Sequence, residues 1–299
     1  MQLDDILSQP TVKLAQVQLN QPLRSKTRDV LALLVRRDLV LKYQDSALGY
    51  LWSLLEPLGM ALTYWFVFGL LYHDEKDGLP LHIVVGIFAW MWVQAAVSES
   101  TKALSAQAVL IRTIKAPRSI FPISRVVARF AEYLAGIPII IMFALIFHQY
   151  ANHSLRLLWM FPAIAVQAIL LTGAALFLSS VNVIYTDVER MIRVILRVLF
   201  YSAPIAYPLT RITGTTSHSA ATCAPNPTPC HTGGVGHTAQ VIYSYNPFVG
   251  IFEMYHHAWE NNAALPHDLV LKSLIGSLVI LAIGWFTFRK MEPTILKEL

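Results

Sequence analysis

The sequence predicts an all-α membrane protein with six transmembrane helices, and three observations carry that prediction. Of the 299 residues, 55% are hydrophobic and only 14% charged, where soluble domains average about 25% charged. Apolar runs of about 20 residues recur along the chain, the length of helix needed to cross a hydrocarbon core roughly 30 Å thick. The mean hydropathy is +0.51. An ordinary soluble enzyme is excluded, and the net charge of +5 is too small and too scattered to imply a nucleic-acid partner.

Residues 1–27 read as a polar cytosolic tail, without the apolar stretch and small-residue cleavage site of a signal peptide, so no cleaved leader is expected. Over residues 28–47 the pattern changes. Val30, Leu31, Leu34, Val35, Leu39 and Leu41 interleave with Arg28, Arg36, Arg37, Asp38 and Lys42, which suits an amphipathic helix lying in the membrane interface. Docking on a partner protein fits the same pattern. Six apolar spans follow, from about Tyr50 to Tyr72, Leu79 to Ser98, Val127 to Phe147, Leu157 to Tyr185, Val194 to Pro208 and Leu269 to Phe288.

Charge sets the orientation. Residues 1–49, 99–130, 186–197 and 289–299 hold 19 of the 23 lysines and arginines. The positive-inside rule therefore places both termini in the cytosol. All ten histidines then fall outside or at the outer end of a span. Cys223 and Cys230 also lie outside, enclosing six residues with three prolines, a setting that favours a disulfide over two free thiols.

The cytosolic loop at 99–118 contains Lys102, Leu104, Ile111, Arg112, Ile114 and Lys115 at near-helical spacing, with Pro117 as a stop. It reads as a short exposed helix or an amphipathic linker. The outer segment at 209–268 begins with a flexible stretch, Thr213–Thr238, free of Asp, Glu, Lys and Arg. It then regains an amphipathic pattern through Phe248, Ile251, Phe252, Tyr255 and Trp259, too short for a span and suited to a re-entrant or interfacial helix.

No G-x-x-x-x-G-K-[ST] motif occurs, nor any HExxH or GxSxG, so any ATP must be bound by another chain. Carboxylates of the spans sit near the cytosolic ends: Glu56, Glu99, Glu132 and Asp187. That placement argues against a proton relay. Glu132 stands three residues from Arg129, the spacing of a local ion pair. Tyr64, Trp65, Phe66 and Phe68 lie deep in the first span, with Phe200 and Tyr201 in the fifth. These rings suit either a sugar-lined passage or lipid-facing packing. The loop residues His218, His231 and His237 are too widely spaced for a metal site, and none is assigned.

Residues 42–69, KYQDSALGYLWSLLEPLGMALTYWFVFG, resemble the permease subunit of type-2 ABC exporters of lipid-linked polysaccharides, a group that includes O-antigen, teichoic-acid, capsule and galactan exporters. LIRTIKAPRSIFPIS (110–124), NVIYTDVER (182–190) and YNPF (245–248) resemble it too. The resemblance implies a six-span permease domain over 48–299 that pairs as a homodimer with two copies of an ATPase subunit. That subunit would bind ATP and Mg, this chain no cofactor. It further implies a coupling helix around Lys102–Ala116, supported by Asp187 and Glu189 in the turn at 186–190. A cytosolic portal would lie near Leu48 and Gly49, where a polyprenyl diphosphate could meet Arg36, Arg37, Lys42 or Arg129. Outer gate helices would carry Tyr245, Phe248, Phe252 and Tyr255. A drug-exporting ABC permease is the alternative, and a membrane-embedded polyprenyl-phosphate transferase a weaker one.

Overall fold

A computed structural model of the chain describes residues 23–43, 79–113, 116–146, 155–205, 237–260 and 267–298, together with 51, 55, 58–60, 62, 63, 66, 207, 209 and 265. Among the described residues nearly all are helical and none lies in a strand. The helices are α1 (Leu23–Tyr43), α2 (Leu79–Thr101), α3 (Ala108–Thr113), α4 (Ile120–Ile146), α5 (Met160–Ile184), α6 (Val188–Ser202), α7 (His237–Ser244), α8 (Pro247–Trp259) and α9 (His267–Glu298). Single 3₁₀ turns precede α3 and α5.

Among the described residues, four stretches are long and apolar enough to cross a bilayer: Pro80–Thr101, Ile120–Ile146, Arg156–Ile184 and His267–Ile295. They answer to the expected second, third, fourth and sixth spans. The expected first span lies almost wholly outside the described residues, with Leu58–Met60 helical within it. The fifth is displaced. α6 starts at Val188, six residues before the expected edge, and its 15 residues cover about 22 Å at 1.5 Å per residue. Extended backbone at Ala203 then ends it.

α2 is the axis of the bundle. Leu81, Ile83, Ile87, Ala89, Val93 and Ala96 are completely buried, because a helix that is apolar on every side finds its lowest free energy inside. α4, α5 and α8 pack directly on it, while α9 lies outside against α5 and α8. In the most apolar stretch of α2 78% of the residues are buried, against 17% in α9. Leu271, Ile275, Leu278, Val279, Ile283 and Phe286 of α9 form an exposed apolar face suited to acyl chains.

The α5–α9 contact depends on missing side chains. A Cβ on Gly173 would sit 2.5 Å from Leu281 Cα, and one on Gly284 would collide with the Gly173 carbonyl oxygen. Close backbone approach at small residues is how helices associate where no hydrophobic effect drives them together.

A second apolar cluster closes the other end of the bundle. It joins Leu34 of α1, Leu104, Ile111 of α3, Ile120 and Phe121 of α4, Leu176 of α5, and Phe288 and Ile295 of α9. Continuous helix was expected around Lys102–Ala116, whereas residues 102–107 form turns and α3 spans only Ala108–Thr113. α8 was expected to be amphipathic, yet Glu253 and His256 are buried along with Phe248, Phe252 and Tyr255. Its start is fixed by Asn246, whose side chain accepts from the Phe248 N–H at 3.0 Å, with Pro247 in the first turn.

Candidate functional site

The candidate site is built where α1, α2 and α4 meet. α1 lies along α4 and presents Leu34, Asp38 and Lys42 at successive four-residue intervals, one stripe of a helix. Leu34 enters the apolar cluster. Asp38, its side chain 2% exposed, pairs with Arg125 at 3.0 Å and with Arg37 at 3.4 Å. Lys42 Nζ donates to both carboxylate oxygens of Glu132, at 3.0 and 3.1 Å.

Arg129 is the centre of the cluster and is only 2% exposed. Its guanidinium pairs with Glu132 one turn along α4, and with Glu99 of α2 at 3.0 Å. Two cations, Lys42 and Arg129, therefore face two carboxylates, Glu99 and Glu132. The Arg129–Glu132 pair expected from the spacing is present. Arg129 had also been expected to be available to a diphosphate. It is buried, which leaves Arg36, exposed on α1, and the partly exposed Arg37 and Lys42 as the accessible cations of the expected portal.

Beside this charge cluster lies a cavity of about 210 Å³, lined by Lys42, Phe88, Met91, Trp92, Glu99, Arg129, Glu132 and Tyr133 among others. Its aromatic wall is organised. Trp92 stacks near Tyr133 at 5.7 Å and tilts against Phe130 at 4.9 Å, and its indole N–H donates to the Val126 carbonyl at 3.1 Å. Apolar ring faces next to paired charges can hold a ligand with both C–H-rich and polar surfaces. None of Trp92, Phe130 or Tyr133 was singled out from the sequence. Each reads there as ordinary span composition, and only the packing of α2 on α4 puts them together.

The other expected site residues are dispersed. Leu48, Gly49, Tyr64, Trp65, Phe68, Ile114, Lys115, Cys223 and Cys230 lie outside the described residues. Phe66 is 65% and Tyr201 67% exposed, while Phe200 is half-buried against Trp90 at 5.7 Å. In the loop, Leu104 and Ile111 point into the protein's own core, so the exposed surface is carried by Lys102, Val109 and Arg112. Asp187 is exposed and Glu189 half-buried, and they pair locally with Arg190 and Arg193. Of the expected gate residues only Tyr245 is exposed, with Lys272 over its ring at 5.3 Å. Phe248 and Phe252 pack on Trp90, and Tyr255 meets Tyr133 edge-on at 6.0 Å. Near them the Tyr243 phenol is pushed far above its ordinary pKa by burial and by the Tyr207 hydroxyl.

Four crossing-length helices among the described residues, bundled around a charged, ring-lined cleft at one end, define a multi-pass membrane protein. The chain belongs to the ABC-2 type transporter family, which matches residues 29–218. It is similar to proteins named O-antigen export system permease protein RfbA. One from Klebsiella pneumoniae is 32% identical over 180 residues, covering 60% of this chain and 69% of that protein. A second from the same organism is 31% identical over the same shares. One from Myxococcus xanthus is 26% identical over 186 residues, covering 62% and 70%.

Proposed function

We propose that this chain is the membrane-spanning permease of an ABC exporter that moves a polyprenyl-diphosphate-linked polysaccharide of the O-antigen class across the cytoplasmic membrane. The observation that carries the reading is the 32% identity to an O-antigen export permease over 69% of that protein's length. Two permeases and two copies of a separate ATPase make up the working unit. Both termini are cytosolic, as the distribution of 19 of 23 basic residues favours. Six spans complete each permease: the four crossing-length helices, the stretch from Tyr50 to Tyr72, and α6 continued by the chain after Ser202.

In this reading the ATPase seats on Lys102, Val109 and Arg112. Leu104 and Ile111 lie directly beneath that surface, in the cluster that also holds α1, α4, α5 and α9. Close-packed interiors shift as units rather than compress, so a push on the loop moves those helices together. α1 is thereby coupled to the cleft through Asp38 and Lys42. The lipid diphosphate meets Arg36, Arg37 and Lys42, and the first sugars meet Trp92 and Tyr133. The exposed apolar residues of α6, Met191, Val194, Ile195, Val198 and Tyr201, provide the face for the second permease.

The test is reconstitution. Vesicles holding the permease with its ATPase should translocate lipid-linked glycan on addition of ATP, and vesicles holding the permease alone should not. Replacing Val109 with Asp should uncouple the ATPase while the chain still inserts. Efficient translocation by the lone chain would overturn the reading.

A further inference from the structure

At the end of α2 opposite the charge cluster, a second group of ionisable residues is buried, and no assigned function uses it. His82 near the start of α2 and His256 near the end of α8 stack face to face, with centroids 3.6 Å apart and planes inclined by 21°. They are 5% and 1% exposed. Glu260, just past the end of α8, accepts from His82 Nδ1 at 2.7 Å, and Arg156 donates to the Glu260 backbone carbonyl at 3.3 Å. Glu253, one helical turn before His256, is 7% exposed.

Three ring nitrogens in this group lack a well-formed partner. His82 Nε2 and both nitrogens of His256 are buried and make no hydrogen bond of good geometry among the described residues, with only the backbone of Tyr207 near His82 and that of His82 near His256. A buried polar group left unmade costs about 1–3 kcal/mol, so a stack of two poorly satisfied imidazoles is an expensive way to fill a core. Imidazole lone pairs beside carboxylates are also the donor set preferred by zinc and its first-row neighbours. The ligand atoms of His82, His256 and Glu260 all lie within 4.8 Å of one another. Glu253 adds a second carboxylate to offset the charge of a divalent ion.

We propose that His82, His256 and Glu260 form a binding site for a divalent transition metal of the zinc class. Binding would require the two rings to leave their stack so that one nitrogen of each faces the Glu260 carboxylate. The bound ion would tie the start of α2 to the end of α8. No local motif signals it, because the two histidines stand 174 positions apart. The site rests on these side chains alone, so its failure would leave the export reading untouched.

The test titrates Zn²⁺ against a chromophoric chelator, using the full chain purified free of metal in lipid nanodiscs. One tight site per chain is expected. His256→Asn should weaken it by more than the roughly 10–100-fold that loss of an outer-shell partner costs. Glu260→Gln, a milder change at a partly exposed residue, should weaken it measurably if His256→Asn does not fold. A variant lacking the loop histidines His218, His231 and His237 should bind as the natural chain does. Absence of a stoichiometric site, binding unchanged by both site substitutions, or binding lost with the loop histidines would each overturn the proposal.

Discussion

The two ends of α2 bury ionisable groups in opposite ways. Glu99 and His82 stand 17 residues apart, about 26 Å along the helix at 1.5 Å per residue. At the Glu99 end, Arg129 is surrounded by two carboxylates, and the cluster extends through Lys42 to α1. At the His82 end, a single hydrogen bond to Glu260 leaves three ring nitrogens without a well-formed partner. Burial alone does not separate the two ends. Partners do: at the first end each charged side chain of the cluster has an oppositely charged partner and three helices are tied together, while at the second two stacked imidazoles have one bonded carboxylate between them.

The sharpest way to break this comparison is to remove the hub of the closed end. Arg129→Met leaves Glu99 and Glu132 without their shared cation at a mostly buried position, and opening a buried pair from one side typically costs about 3–5 kcal/mol. Thermal unfolding in nanodiscs should show the largest loss of any single substitution in the cluster. Arg129→Met combined with Glu99→Gln should recover part of it, since Glu132 keeps Lys42 while the second change removes the charge that lost its cation. Equal losses in the single and double variants would mean that Arg129 acts by packing and not by charge.

The first end was legible in the sequence only where the chemistry is local, and the second not at all. Arg129 and Glu132 share a helix face, so their pair follows from spacing. Glu99 and Lys42 reach the same cluster through helix packing, which spacing does not encode. The long apolar runs located α2, α4, α5 and α9, because length and hydropathy suffice to define a crossing. Their edges were less clear. α4 begins at Ile120 and carries Arg125 and Arg129 inside it, where the first charges had been read as the limit near Val127. α9 likewise continues past Arg289 and Lys290 to Glu298. Charged side chains end a hydrophobic span without ending a helix, and here the functional candidates sit in those charged turns. The burial of Leu104 and Ile111 was hidden for a related reason: helical periodicity reveals that two faces differ, not which one meets the protein's own core.

The open end yields the next two predictions. Zn²⁺ at about 100 times its dissociation constant should stabilise the natural chain by about 2.7 kcal/mol, the amount that mass action gives for a single site. A chelator should abolish that gain. His256→Leu should then reverse the usual sign of a core substitution. With metal removed, an apolar side chain of similar size relieves the poorly partnered nitrogens and should stabilise the chain by about 1–2 kcal/mol, while zinc should no longer raise the unfolding temperature. Destabilisation in chelator would show that the stack is a satisfied structural element.

The smallest effect separates α1 from the rest of the closed end. Lys42 is bonded to Glu132, but its side chain is 41% exposed, against 2% for Arg129. Exposed ion pairs contribute about 0–1 kcal/mol, so Lys42→Met should barely shift unfolding even though it removes two hydrogen bonds. What it should change is the hold on the end of α1. Cleavage or hydrogen exchange within Leu23–Tyr43 should accelerate in Lys42→Met while exchange in α2 and α4 stays constant. Asp38→Asn, at a side chain only 2% exposed and paired with Arg125, should loosen the same helix further. If Lys42→Met instead unfolds the bundle as Arg129→Met does, the cluster is a single cooperative unit, and α1 has no independent freedom to move with the loop that contains Leu104.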